Sequence, residues 1–183
     1  MLEIKFLEIT PTRIKRILTM FLVLLLAFIT TLAGVVTPMM REEAEATKKE
    51  FEKFEKVPDE LMFQLIFGNN FYICFLMFIP FLGPILGFYA FYNTGRVIGA
   101  VAIAEGADPA TIFMAIFILP FAWLEYIAYS IAISQSFWLT LRIFRRKAKM
   151  ELIKTCMFIV LCAIILIIAA VIETMLILSI PKT

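Results

Sequence analysis

Five apolar runs, each long enough to cross a bilayer, alternate with short polar segments along this chain. They cover about residues 17–36, 61–81, 85–104, 110–141 and 152–180, and a membrane-crossing helix needs about 20 such residues. The pattern predicts an all-α, polytopic transmembrane helix bundle of about five spans, folded as a single membrane domain over residues 1–183. The one extensive polar segment is the loop 37–60 between the first two runs. It carries Glu45 and Lys49, and Glu52 and Lys56, at i,i+4 in the favourable order, with Phe51 and Phe54 on one face. A short external charged helix ending near Pro58 is expected there. Pro120 interrupts the fourth run, so a proline-broken fourth helix is expected as well.

Composition narrows the class. Of 183 residues, 62% are hydrophobic and only 17% charged, whereas a soluble domain is about half apolar and about a quarter charged. A water-soluble globular fold is excluded. A nucleic-acid surface is not supported either, because the cations cluster beside apolar runs. Histidine is absent, which removes His-based catalysis and His metal sites. Cys74, Cys156 and Cys162 lie inside apolar segments, form no CxxC pair, and read as small buried hydrophobes. The only aspartates, Asp59 and Asp108, fall outside the runs, and no phosphate-binding glycine loop is present. No catalytic, metal-binding or cofactor-binding residue is expected, and the chain reads as a non-enzyme.

Basic residues mark the cytoplasmic side of a membrane protein. Arg13, Lys15 and Arg16 precede the first run, and Arg142, Arg145, Arg146, Lys147 and Lys149 separate the last two. Five crossings put both clusters on the same side, with the N-terminus cytoplasmic and the protein in the cell membrane. Trp138 and the Arg142 cluster would mark the inner interface. The first run is long for a signal peptide and reads as a retained anchor.

Small residues mark close helix contacts in lipid. Gly83 and Gly87, then Gly95 and Gly99, form two GxxxG patterns along the third run, which is expected to be the central, tightly packed helix. Phe63, Phe67, Phe71, Phe75 and Phe78 form a ridge along the second run.

Ionisable side chains within apolar runs are costly and usually find partners. Arg96 stands near the middle of the third run and Glu125 near the middle of the fourth; with Asn93 and Asn70 they form the candidate intramembrane polar cluster. Arg96 and Glu125 are the obvious pair, although straight helices would leave them axially offset by roughly 10 Å. If they do not pair, Glu125 should be protonated or bonded to Asn70, Asn93 or a tyrosine hydroxyl. A polar clasp fixing helix register and an ion, proton or solute path are both open. Glu173 in the fifth run is a further intramembrane acid.

These landmarks resemble a known pattern. Asn69-Asn70 opens a helix, Asn93-Thr94-Gly95 is followed by Gly99, and Pro120 precedes Glu125 by five residues. The order is similar to that of the stage II sporulation protein M family, whose members share an Asn-Asn start, an Asn-Gly with a second Gly, and a Pro-His-Gly-x-x-Glu segment. Here that segment reads Pro120-Phe121-Ala122-Trp123-Leu124-Glu125, without the histidine and the glycine. The resemblance implies a multi-pass helical membrane protein; in spore formers the family member acts within a membrane complex with cell-wall hydrolases. It implies membrane-embedded assembly or scaffolding here. The partners expected for the chain are the lipid bilayer, proteins of a membrane complex and a second copy of itself. The alternative is a small transporter, channel or permease subunit built on the Asn/Arg/Glu cluster.

Overall fold

The computed structural model describes residues 13–55, 57–146 and 148–179, and of residues 51–55 the backbone alone. All the regular structure among these residues is helical: α1 (Arg13–Val35), α2 (Arg41–Glu55), α3 (Asp59–Met77), α4 (Leu82–Glu105), α5 (Pro109–Ile118), α6 (Pro120–Phe144) and α7 (Ala148–Ser179). The boundaries follow local chemistry. Glu42 and Glu43 in the first turn of α2, and Asp59 and Glu60 in that of α3, face the positive ends of those helices. Gly106 ends α4 in the left-handed conformation, at φ 67°, that a glycine adopts at no steric cost. Asp108 caps α5 by accepting from the Thr111 backbone N–H at 2.9 Å, and Pro109 occupies its first position.

Contacts fix the direction of the long helices. Thr31 and Val35 of α1 face Gly95 and Gly99 of α4 in the same order, so α1 and α4 run parallel. Helix α6 runs the other way, because Tyr126 meets Thr31 at 2.6 Å while Gln135 meets Arg16 at 2.8 Å. Helix α7 begins at the Arg16 end, where Glu151 lies 2.6 Å from the guanidinium. The tight turn between α3 and α4 is also at that end. Ser136 Oγ donates to the Ile79 carbonyl at 2.7 Å, and the Thr140 hydroxyl accepts from the backbone N–H of Phe81 at 2.9 Å. That bond anchors Phe81 at φ 67°, an uncommon conformation for a bulky side chain. The long helices α1, α3, α4, α6 and α7 thus traverse the bundle in alternating directions.

Helices α1, α3 and α7 are long and apolar enough to cross a membrane, and α5 with α6 qualifies as a pair bent by 86°. Helix α4 is long enough, but Asn93 and Arg96 interrupt its apolar sequence. The break falls where the sequence predicts it. Pro120 drives Leu119 into an extended conformation and restarts the helix at its own first position. The fourth span is nevertheless shorter than the run 110–141: α5 turns away, and the 25 residues of α6 cover about 37 Å unaided.

Helix α4 touches α1, α2, α3, α5 and α6. Its two glycine pairs serve different neighbours. A Cβ on Gly95 would lie 2.0 Å from the Thr31 carbonyl oxygen, and one on Gly99 2.8 Å from that of Val35. Gly34 returns the contact, with 2.2 Å to the Tyr92 carbonyl oxygen. Gly83 instead meets the Met77 carbonyl, and Gly87 the Ile133 side chain. The core between these helices gathers Phe91, Met77, Ile133, Tyr126, Tyr129, Cys74, Cys162 and Leu166. On α3, Phe63, Phe67, Phe71 and Phe75 form a continuous row of ring contacts.

Gly95→Ala should lower stability by about 1–3 kcal/mol, because the added methyl meets backbone that cannot turn aside. Gly68→Ala, with nothing within 4 Å of its new Cβ, should be neutral or stabilising. Thermal unfolding in detergent checks the contrast; coincident melting of the two variants would contradict the close approach.

Candidate functional site

The polar residues gather at the two ends of the bundle. At one end, Asn70 of α3 donates from Nδ2 to Glu125 Oε1 of α6, and Glu173 of α7 stands close enough for its charge to bear on the same carboxyl. The bond joins α3 and α6, two helices with no short connection between them. One residue further along α6, Tyr126 is bonded to Thr31. Around it Phe28, Phe117 and Trp123 pack ring against ring, and Trp123 Nε1 donates to the Phe117 carbonyl at 2.8 Å, tying α5 back to α6.

Arg96 does not join Glu125. Its guanidinium donates to Glu43 of α2. The backbone of Arg96 packs against Gly34, one residue before the end of α1. Helix α4 therefore continues past α1, and its last turns form the seat of the charged helix. Lys48 reaches Glu105 at 3.2 Å, and Ala44 is fully buried. Asn93 is half-buried on α4 and bonds neither Arg96 nor Glu125, while Asn69 is exposed. Within α2, Arg41 Nε meets Glu45 at 3.2 Å, one turn before the Glu45–Lys49 spacing; Glu52, Lys56, Phe51 and Phe54 lie outside the described side chains.

The placements of Glu125 and Arg96 have one cause. The midpoint of an apolar run equals the midpoint of the membrane only when the whole run crosses straight. Glu125 is near the middle of 110–141 but only five residues into α6, because α5 has turned away. Arg96 is near the middle of 85–104 but level with the end of α1. Both charges thus belong to the same end of the bundle.

The opposite end holds a network that the sequence reading omitted. Arg16 of α1 donates to Gln135 Oε1 at 2.8 Å and to Glu151 Oε1 at 2.6 Å. Gln135 Nε2 donates to the same Glu151 oxygen at 2.8 Å and to the Thr155 hydroxyl at 3.0 Å. The other Glu151 oxygen faces Arg142 Nε at 3.9 Å. Glu151 is 2% exposed and Gln135 3%. The Arg16 guanidinium also lies over the Trp138 ring, 5.7 Å from its centroid. A buried carboxylate is tolerable only with such partners. The signal was available: Glu151 is the one acid among Arg142, Arg145, Arg146, Lys147 and Lys149, and it stands one turn before Thr155.

A bundle of apolar helices traversing in alternation, with its polar contacts drawn to the two ends, defines a multi-pass α-helical membrane protein. The chain belongs to the stage II sporulation protein M family: that family's match covers residues 18–176, from the second turn of α1 to the last turns of α7. No curated protein and no solved structure matches it.

Glu151→Ala should destabilise the bundle by about 3–5 kcal/mol, because it strands the Arg16 guanidinium and the Gln135 amide without their shared acceptor. Glu151→Gln keeps a carbonyl oxygen at that position and should cost less. Melting curves in detergent decide it; an alanine variant as stable as the parent would remove this network from the account.

Proposed function

We propose that the protein is a non-enzymatic scaffold or assembly component of a membrane complex, and that α2 is its partner-facing surface. One observation carries this reading: α2 is docked rather than dangling. The Arg96–Glu43 and Lys48–Glu105 ion pairs and the buried Ala44 seat it on α4. With its inner face so occupied, Glu42, Glu45 and Lys49 stand exposed on a helix that the bundle holds in place. A pre-ordered surface of this kind binds without the entropic cost of ordering a loop. The basic residues Arg13, Lys15, Arg16, Arg142, Arg145 and Arg146 gather at the far end. By their charge that end is cytoplasmic, which puts the N-terminus inside and α2 outside.

The rival reading is a small transporter or permease subunit. It is favoured by the convergence of Asn70, Glu125 and Glu173 from three helices beside a broken helix. The two readings separate cleanly. A photo-crosslinking residue at Glu42, Glu45 or Lys49 should give discrete protein adducts in native membranes, and Glu125→Gln, which still offers Asn70 an acceptor, should leave them unchanged. Adduct-free membranes, together with proton-coupled flux in proteoliposomes that disappears in Glu125→Gln, would replace the scaffold by the transporter.

A further inference from the structure

A cavity of about 100 Å³ lies among α1, α6 and α7 at the basic end, beside the Arg16–Glu151 network. Its apolar walls come from Ile17 and Met20 of α1, Ile131 of α6 and Phe158 of α7, and Arg16 and Trp138 stand at its polar side. The volume holds about three waters or a few methylene groups. It is partly open to the outside of the bundle, where the exposed Ile17 lines its edge.

Trp138 makes the cavity more than a packing gap. It is 5% exposed, and its indole Nε1 is buried with no hydrogen-bond partner. An indole N–H can only donate, and leaving it unmatched in a buried setting is costly. The carboxylate of the adjoining network, Glu151, already takes bonds from Arg16 and Gln135. The other tryptophan, Trp123, has its N–H satisfied by a carbonyl.

The charges nearby have one sign in excess. Arg13 is exposed three residues before Arg16, hence on the same side of α1, and Arg142 is four residues beyond Trp138, hence on the same side of α6. These three cations, Arg13, Arg16 and Arg142, stand against the single anion Glu151. An indole donor and basic side chains beside an apolar slot match the polarity profile of one phospholipid.

We infer that this site holds an anionic phospholipid of the leaflet at the basic end. Its phosphate sits among Arg13, Arg16 and Arg142, an ester carbonyl accepts from Trp138 Nε1, and the start of one acyl chain enters the slot between Ile17, Met20, Ile131 and Phe158. The inference is independent of the scaffold reading and needs only a membrane setting. It gives the bundle a lipid preference: the lipid would join α1, α6 and α7 at the end where Arg16 already ties them.

The chain has two tryptophans, so Trp123→Phe leaves Trp138 as the sole indole. The full-length variant, labelled with nitrogen-15 in detergent micelles, would be titrated with phosphatidylglycerol, with phosphatidylcholine of identical chains, and with inorganic phosphate. The single indole N–H signal should move and saturate with phosphatidylglycerol at a concentration about tenfold or more below that needed for phosphatidylcholine, as an excess of basic side chains implies. Inorganic phosphate should leave it in place. Ile131→Phe, which fills the slot, should remove the response while the melting temperature is kept. A signal unmoved by phosphatidylglycerol, moved equally by both lipids, moved by phosphate alone, or still responsive in a folded Ile131→Phe variant would overturn the assignment.

Discussion

The contact between α1 and α4 is the constraint on which the rest of the structure depends. Lipid supplies no hydrophobic drive for one apolar helix to leave it for another, so association rests on close packing and on polar bonds. Gly34, Gly95 and Gly99 let the two backbones meet with no side chain between them. That approach sets the axial register of α4. Register then decides that Arg96 emerges at the end of α1 and not beneath it, and that the last turns of α4 stand free to receive α2. The same stretch of α1 carries Thr31, whose bond to Tyr126 fixes where α6 enters the bundle and so where Glu125 meets Asn70.

The second organising feature is the separation of polar contacts between the two ends. A charged side chain near the membrane surface costs far less than one at mid-depth. Arg16, Gln135, Glu151 and Thr155 tie α1, α6 and α7 at one end. Asn70 and Glu125 join α3 to α6 at the other. Between them the core holds apolar side chains such as Phe91, Ile133 and Leu166. The bundle is thus pinned at both ends and packed in the middle.

Much of the architecture is legible in the sequence because it follows from length and hydropathy. The apolar runs, the charged helix after Pro38 and the break at Pro120 all have local causes. The glycine pairs of α4 are legible as contact faces, but not their division between α1 on one side and α3 and α6 on the other, which needs the crossing geometry. The Asn70 partnership is among those that the residue types leave open to Glu125. Depth is harder to read. Sequence midpoints misplace Arg96 and Glu125 because one helix overshoots its neighbour and another run folds through 86° before crossing. Glu151 is hidden for a different reason: next to so many cations it reads as a loop residue, and only the packing of α1 against α6 and α7 shows that it is buried.

The claim that Arg96 belongs to the α2 platform and not to the membrane interior is tested most directly by a charge-swap cycle. Melting temperatures in detergent would be measured for Glu43→Arg, Arg96→Glu and the double variant. Each single change should destabilise the fold and the double variant should regain most of the loss, with a coupling of about 1 kcal/mol. Simple additivity of the two losses would contradict it, because a mid-membrane Arg96 facing Glu125 has nothing to gain from a cation at position 43.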